Sequence, residues 1–280
     1  MARKLFCEIS PLTYRISVVK GRAVRRLSDA CSGARFARRR QEEPLSVSVI
    51  RHSSLIRRRL GNVDMTLQEN KAVNLALAAP CVDGVLIRPG ETFSFWRLVG
   101  DATARRGFRE GLTISGGAAR SGVGGGMCQM TNLIHWMVLH TPLEIVEHHH
   151  HDGLDLFPDY NRQIPFGTGT SICYNYLDYR FRNNTEAIYQ LRVRVDGEYL
   201  RGELRADRPQ ALRYHIRTRG EGFVREGGIV YRVGQVWRES IDPRTGNCVA
   251  RTLIRENHAR VMYDTAGLAI EDRDGTRQGG

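Results

Sequence analysis

In a chain of 280 residues, the groups suited to covalent chemistry fall in one order: Cys128, then His151, then Asn175 and Asp178. That is the order of a thiol nucleophile, an imidazole to hold its proton, and an amide or carboxylate to orient the imidazole, the set that peptidase-type or acyl-transfer chemistry requires. Gly124, Gly125 and Gly126 stand just before the cysteine and Gln129 just after it. Glycines ahead of a helix make a tight loop whose N–H groups can face an anion or a thiolate. The Cys128 N–H is therefore the first candidate for an oxyanion hole. Gln129 is the weaker one, because a side chain adjacent to the cysteine points away from it. A thiol in the first turn of a helix is also in the setting that lowers a cysteine pKa.

The same residues support two other readings. His149, His151 and Cys128 are all side-chain types that zinc accepts, and histidines at i and i+2 of a strand share a face. No second spaced Cys or His pair accompanies them, so no metal and no other cofactor is assigned. In the other reading, the glycine loop with His149 and Asn132 forms a binding cleft without catalysis, and Cys128 packs as a small apolar residue. Asp178 has an ordinary alternative too. Alternation over 177–181 sets it beside Arg180, opposite Leu177, Tyr179 and Phe181, where an exposed strand acid would stand. Asn175 fits a turn equally well.

The elements that must position these groups follow from hydrophobic periodicity. Met130, Leu133, Ile134, Met137 and Val138 recur at i, i+3, i+4, i+7 and i+8, an apolar stripe that faces a core. Cys128 falls off that stripe, on a polar face with Thr131, Asn132 and His135. Upstream, Asp64 caps a helix over 65–79 that Pro80 stops. Val73, Leu75 and Leu77 supply its apolar side; Leu67, Lys71, Asn74 and Ala78 form the other. The stretches 45–50, 85–87 and 93–95 read as strands, and the region broken by Gly107, Gly111, Gly116 and Gly117 reads as a long loop. A strand over 143–147 leads into four consecutive histidines. From 171 onward the pattern is short strands separated by turns such as Asn183-Asn184 and Asp196-Gly197. The predicted architecture is α+β: helices packed against an antiparallel sheet, with a C-terminal antiparallel β extension.

Four of these stretches together, Pro89-Gly90-Glu91-Thr92-Phe93-Ser94-Phe95, Gly124-Gly125-Gly126-Met127-Cys128-Gln129, the cluster from Glu147 to His151, and DYRFRNN at 178–184, resemble the VanW family. That family is named for an accessory protein of vancomycin-resistance gene clusters. The resemblance runs over about 45–264, and the family pattern places a histidine at His151 and commonly another at His149. It implies a link to cell-wall precursors or the glycopeptide response, and hence a peptidoglycan precursor or another peptide-like ligand as partner.

Composition sets the surroundings. The chain is 41% apolar, enough for a packed core, and carries a net charge of +12. Residues 1–60 hold fifteen Lys or Arg against four acids, so nearly all of that charge lies in the N-terminal fifth. Such a segment can touch an anionic surface or stay solvated; no nucleic-acid module accompanies it. A basic helix fits between Ser17 and Leu27, and 38–44 reads as a linker. No apolar run reaches the ~18 residues of a membrane span. Nor does the start have a signal-peptide core, so the expected location is cytoplasmic, with all six cysteines reduced. The expected division is a basic N-terminal segment and linker at 1–44, an α+β core at 45–205, a β-rich extension at 206–266 and a loose tail at 267–280.

Overall fold

The computed structural model describes residues 9–58, 64–115, 118–150, 153–158 and 163–273; His151 lies outside them. In chain order the elements are α1 (Pro11–Cys31), β1 (Arg35–Phe36), β2 (Val47–Leu55), α2 (Met65–Val82), β3 (Val85–Ile87), β4 (Glu91–Ser94), α3 (Phe95–Val99), β5 (Glu110–Ser115), β6 (Ala118–Val123) and α4 (Cys128–Val138). They continue as β7 (Glu144–Glu147), β8 (Leu154–Asp155), β9 (Arg180–Arg182), β10 (Tyr189–Asp196), β11 (Tyr199–Ala206), β12 (Arg213–Glu226), β13 (Ile229–Ile241), β14 (Cys248–Val261) and β15 (Ile270–Asp272).

The fold is α+β. One antiparallel sheet, ordered β2-β11-β10-β3, supports α4 on β2 and β11 and α2 on β10. A second, β1-β4-β9-β7, is antiparallel except for β1, which runs parallel to β4. The third, β15-β12-β13-β14-β8, is built on three long antiparallel strands with short parallel strands at both edges. Its strands are longer than the short ones expected from 171 onward, because Gly220, Gly222 and Gly234 lie at or beside a register shift between Arg219 and Gly222 that the pairing absorbs.

The α4 stripe lies as its period requires: Met130, Leu133, Ile134, Met137 and Val138 are all buried. Gly202 of β11 makes this possible, since a Cβ there would stand 2.7 Å from Met137 Cε and 2.8 Å from Leu133 Cδ2. The opposite face is covered as well. Thr131 and His135 are buried, so the helix is enclosed on both sides, and its N-terminal half borders a cavity.

Three elements differ from the sequence expectation. Helix α2 runs to Val82 with Pro80 inside its last turn, where a missing N–H costs a single bond. The Arg40 guanidinium donates to the Pro80 and Cys81 carbonyls that this end leaves over. The buried side of α2 is mixed: Gln68, Lys71 and Asn74 are inside together with Ala72, Leu75, Ala78 and Ala79, and Leu77 is exposed. The glycine-broken region is not a loop but the β5–β6 hairpin, paired from Glu110–Val123 to Ser115–Ala118. Finally, the stretch expected as a linker is fastened to the sheets. Beyond β1, the Leu86 N–H donates to Arg39 O, the Gln41 N–H to Gly84 O, and Gln190 Nε2 to Gln41 O.

Candidate functional site

A cavity of about 310 Å³ opens where the glycine loop enters α4. Gly124, Gly125, Gly126 and Cys128 form one wall, Gln68 and Lys71 of α2 another, and Leu112 and Ile114 of β5 a third. His52, Ser54 and Arg58 border it from β2 and the residues just after, and Asn132 and Ile172 complete it near the thiol.

Glycine is required in this loop by close approach. A Cβ on Gly125 would fall 2.1 Å from Gly111 O, and one on Gly111 would fall 2.5 Å from Gly125 O, so β5 and the loop cross backbone against backbone. At Gly126, φ is +89° and a Cβ would fall 2.2 Å from Lys71 Cγ. The crossing is clamped by Asn74. Its Nδ2 donates to Gly125 O and to Arg109 O, each at 2.9 Å, while its Oδ1 accepts from the Arg109 N–H. None of Gln68, Lys71 and Asn74 is among the expected site residues, and Lys71 and Asn74 fall on the side of the helix opposite Val73, Leu75 and Leu77. The signal available was Gln68, Lys71 and Asn74 at spacings of three, a polar stripe on a helix that ends at the sheet.

Burial governs the electrostatics. Lys71 is 6% exposed, and desolvation first, then the charges of Arg58 and Arg57, hold its ammonium down to about 7. Near neutrality it stands between amine and ammonium. Gln68 Oε1 accepts from the Arg58 N–H, while its Nε2 is buried with no hydrogen-bond partner among the described residues. His52 is held below the ordinary imidazole value, by burial first and then by His140 and Arg58.

The thiol departs from expectation. Cys128 is the first residue of α4, yet burial raises it above the usual thiol value, outweighing the opposing pull of backbone N–H groups at Ile172 and Cys128 itself. It rests as a neutral thiol. Gln129 does not reach toward an oxyanion: its Nε2 donates to Ser54 Oγ and Leu55 O, tying α4 to β2. Asn132 does line the cavity, with its Oδ1 accepting from the N–H and hydroxyl of Thr170.

The remaining candidates stand elsewhere. His149 Nε2 meets Glu147 Oε1 at 3.1 Å, and the His149 carbonyl accepts from the Ser171 N–H. His148 donates to Gly169 O and stacks on His135, with ring centroids 4.3 Å apart. Burial first, then His148 and His150, keeps His135 far below its ordinary pKa, so it is neutral. Asp178 is not an exposed strand acid. It is 3% exposed and accepts from Ser94 Oγ, the Trp96 and Tyr179 N–H groups and Arg180 Nε, which ties it to Ser94, the N-cap of α3, and to the first turn of that helix and makes it an anchor for Arg180. Asn175 sits in a turn at φ +61°, on the arginine-lined groove beneath α1 rather than in the cavity. Of the expected site, the cavity gathers Cys128, Gln129, Asn132 and the three glycines; it does not gather Asp178, Asn175 or His149. Among the described residues no three His, Cys, Asp or Glu side chains converge as metal ligands, and His149 is not brought to Cys128.

Residues 70–205 match the family described as VanW like protein. The chain is 41% identical over 201 residues to the vancomycin B-type resistance protein VanW of Enterococcus faecalis (strain ATCC 700802 / V583), covering 71% of this chain and 72% of that protein. It is also 30% identical over 118 residues to the uncharacterized protein YoaR of Bacillus subtilis (strain 168), covering 41% of this chain and 36% of that protein. No solved structure matches it.

Proposed function

The chain belongs to the VanW family, and on that premise we propose that it binds a small peptide-like ligand by its carboxylate. The ligand's acid is held beside Lys71 and the start of α4, and its apolar part lies along Ile114, Leu133 and Ile172, which line the same cavity. One observation carries this reading: the Lys71 amine and the Gln68 Nε2, which has no partner among the described residues, are both buried in a cavity wall. Burying such groups is unfavourable unless something pairs with them. A carboxylate does so for both, at the helix end where anions are favoured. The enterococcal relative is named for vancomycin resistance, and the family resemblance points to cell-wall precursors, so the peptide end of such a precursor is the ligand class assigned.

The test uses Trp96, which borders the cavity, as a fluorescent reporter. An N-acetylated dipeptide with a free carboxylate should bind, and its C-terminal amide should bind roughly tenfold to a hundredfold more weakly, the worth of one charged hydrogen bond. Lys71→Met should erase the difference. Affinity for the acid should fall as the pH rises through about 7, where Lys71 loses its charge. Equal binding of acid and amide, or no binding of either, would overturn the proposal.

A second reading rests on Cys128 and Lys71 sharing one cavity. Above neutrality the Lys71 amine can accept the thiol proton; the thiolate then attacks a carbonyl, a C–S bond forms, and the leaving group departs with the proton. This acyl transfer would quicken as the pH rises, the opposite sign to carboxylate binding. An acyl adduct on Cys128, seen by mass spectrometry with an activated ester and absent from Cys128→Ala, would establish it.

A further inference from the structure

Helix α1 is assembled inside out. Ser17, Gly21, Arg22, Arg25 and Asp29 share the side turned to the body. The Ser17 carbonyl accepts from Tyr176 Oη at 3.0 Å, and Gly21 rests on the Tyr176 ring. Arg22 reaches Asp101 at 2.7 Å, Arg25 pairs with Glu147, and Asp29 takes both terminal nitrogens of Arg180 at 2.6 and 3.0 Å. The opposite side carries Leu12, Ile16, Val19, Ala23 and Leu27 at i, i+4, i+7, i+11 and i+15, and Leu12, Val19 and Leu27 are 66%, 66% and 65% exposed. A helix on a water-soluble body orients the other way, with its apolar stripe inward. Here ion pairs hold the polar side down and an apolar ridge stands out.

The borders of the ridge identify what it meets. Arg15 and Arg26 flank it on one side and Lys20 on the other, all exposed, and the single acid of the helix, Asp29, is turned inward. We infer that this face of α1 lies on an anionic lipid bilayer, the apolar ridge sinking among the headgroups while Arg15, Lys20 and Arg26 meet their phosphates. At 21 residues the helix is about 30 Å long and lies along the surface. No helix among the described residues is long and apolar enough to cross a membrane. A second copy of the chain would cover the ridge but would set these three cations against their own counterparts. A nucleic acid would neutralise the cations but leave the ridge in water.

The test is co-sedimentation of the full chain with vesicles of phosphatidylcholine, alone or mixed in equal parts with phosphatidylglycerol. Binding is expected to the mixed vesicles and to be roughly tenfold weaker or less on neutral ones. The double variant Ile16→Glu, Val19→Glu changes only exposed positions, so it should keep its melting temperature and lose vesicle binding. Replacing Arg15, Lys20 and Arg26 by glutamine should do the same to binding. In Leu12→Trp, emission should shift to the blue with mixed vesicles only. Equal binding by the glutamate variant would show that the ridge takes no part and overturn the inference. A dimer in sedimentation velocity that the same variant dissolves, without vesicle binding by the parent chain, would assign the face to a second copy and overturn it as well.

Discussion

At the scale of single residues, the site is decided by burial outweighing intrinsic chemistry. The α4 N-terminus favours a thiolate at Cys128, but burial in the cavity wall raises the thiol above its usual value. Iodoacetamide should therefore modify Cys128 slowly at neutral pH, with the rate climbing only as the pH passes the ordinary thiol value of 9.0. Exposed Cys31 and Cys248 serve as internal references for peptide mapping. Modification of Cys128 as fast as theirs at pH 7 would show that burial does not hold the thiol up, and modification faster than theirs would show a thiolate and favour acyl transfer. The glycines make a sharper case. Gly125→Ala puts a methyl group 2.1 Å from the Gly111 carbonyl, backbone that cannot step aside as a side chain would. It should cost about 2–3 kcal/mol in denaturant unfolding and abolish ligand binding. A variant as stable as the parent would mean that β5 and the loop do not cross as described.

Elements carry the next level. The N-terminal stretch, basic throughout, contains two structures with different attachments. Helix α1 is held by side-chain ion pairs, whereas 35–44 is held by backbone hydrogen bonds to β4, Gly84 and Leu86, and by the Gln190 amide. Surface and half-buried ion pairs contribute little each, while several sheet bonds lost together contribute about 1 kcal/mol apiece. Removal of residues 1–33 should leave a cooperative transition with a modest loss of stability. Removal of 1–44 should cost about 3 kcal/mol more, read from urea melts. Equal stability of the two truncations would refute the distinction.

For the whole molecule, one ionic network governs how α1 sits. Burial alone would raise the Asp29 carboxyl, but Arg180, Arg97 and Arg25 hold it below its ordinary value. Glu147 is likewise held down, against burial, by Arg25, the Asp178 N–H and His149. With folded pKa values depressed, the docking energy is fully present above the ordinary carboxylate values of 3.8 and 4.5 and is lost as the pH falls below them. A dye on Cys31, the last residue of α1, in a variant lacking the other cysteines, should keep its fluorescence anisotropy down to about pH 4.5 and lose it toward about pH 3. A flat profile would show that the carboxylates do not hold the helix.

Much of this was legible in the sequence. The α4 stripe at Met130, Leu133, Ile134, Met137 and Val138, the Asp64 cap, the glycine loop running into Cys128 and the α+β class all follow from local rules: periodicity, capping and the freedom of glycine. The same rules could not say which side of a helix is buried when neither side is plainly apolar. On α2 the side with Gln68, Lys71 and Asn74 went inward, where Asn74 satisfies the Gly125 carbonyl of a glycine loop 51 residues away. On α1 the polar side went inward because Arg180, Glu147 and Asp101 were waiting for it. Hydropathy scores a residue against water; these faces were chosen by specific partners that only the folded chain brings together. The same holds for Asp178, whose neighbour Arg180 was readable but whose partners Ser94, Trp96 and Arg25 come from three other segments.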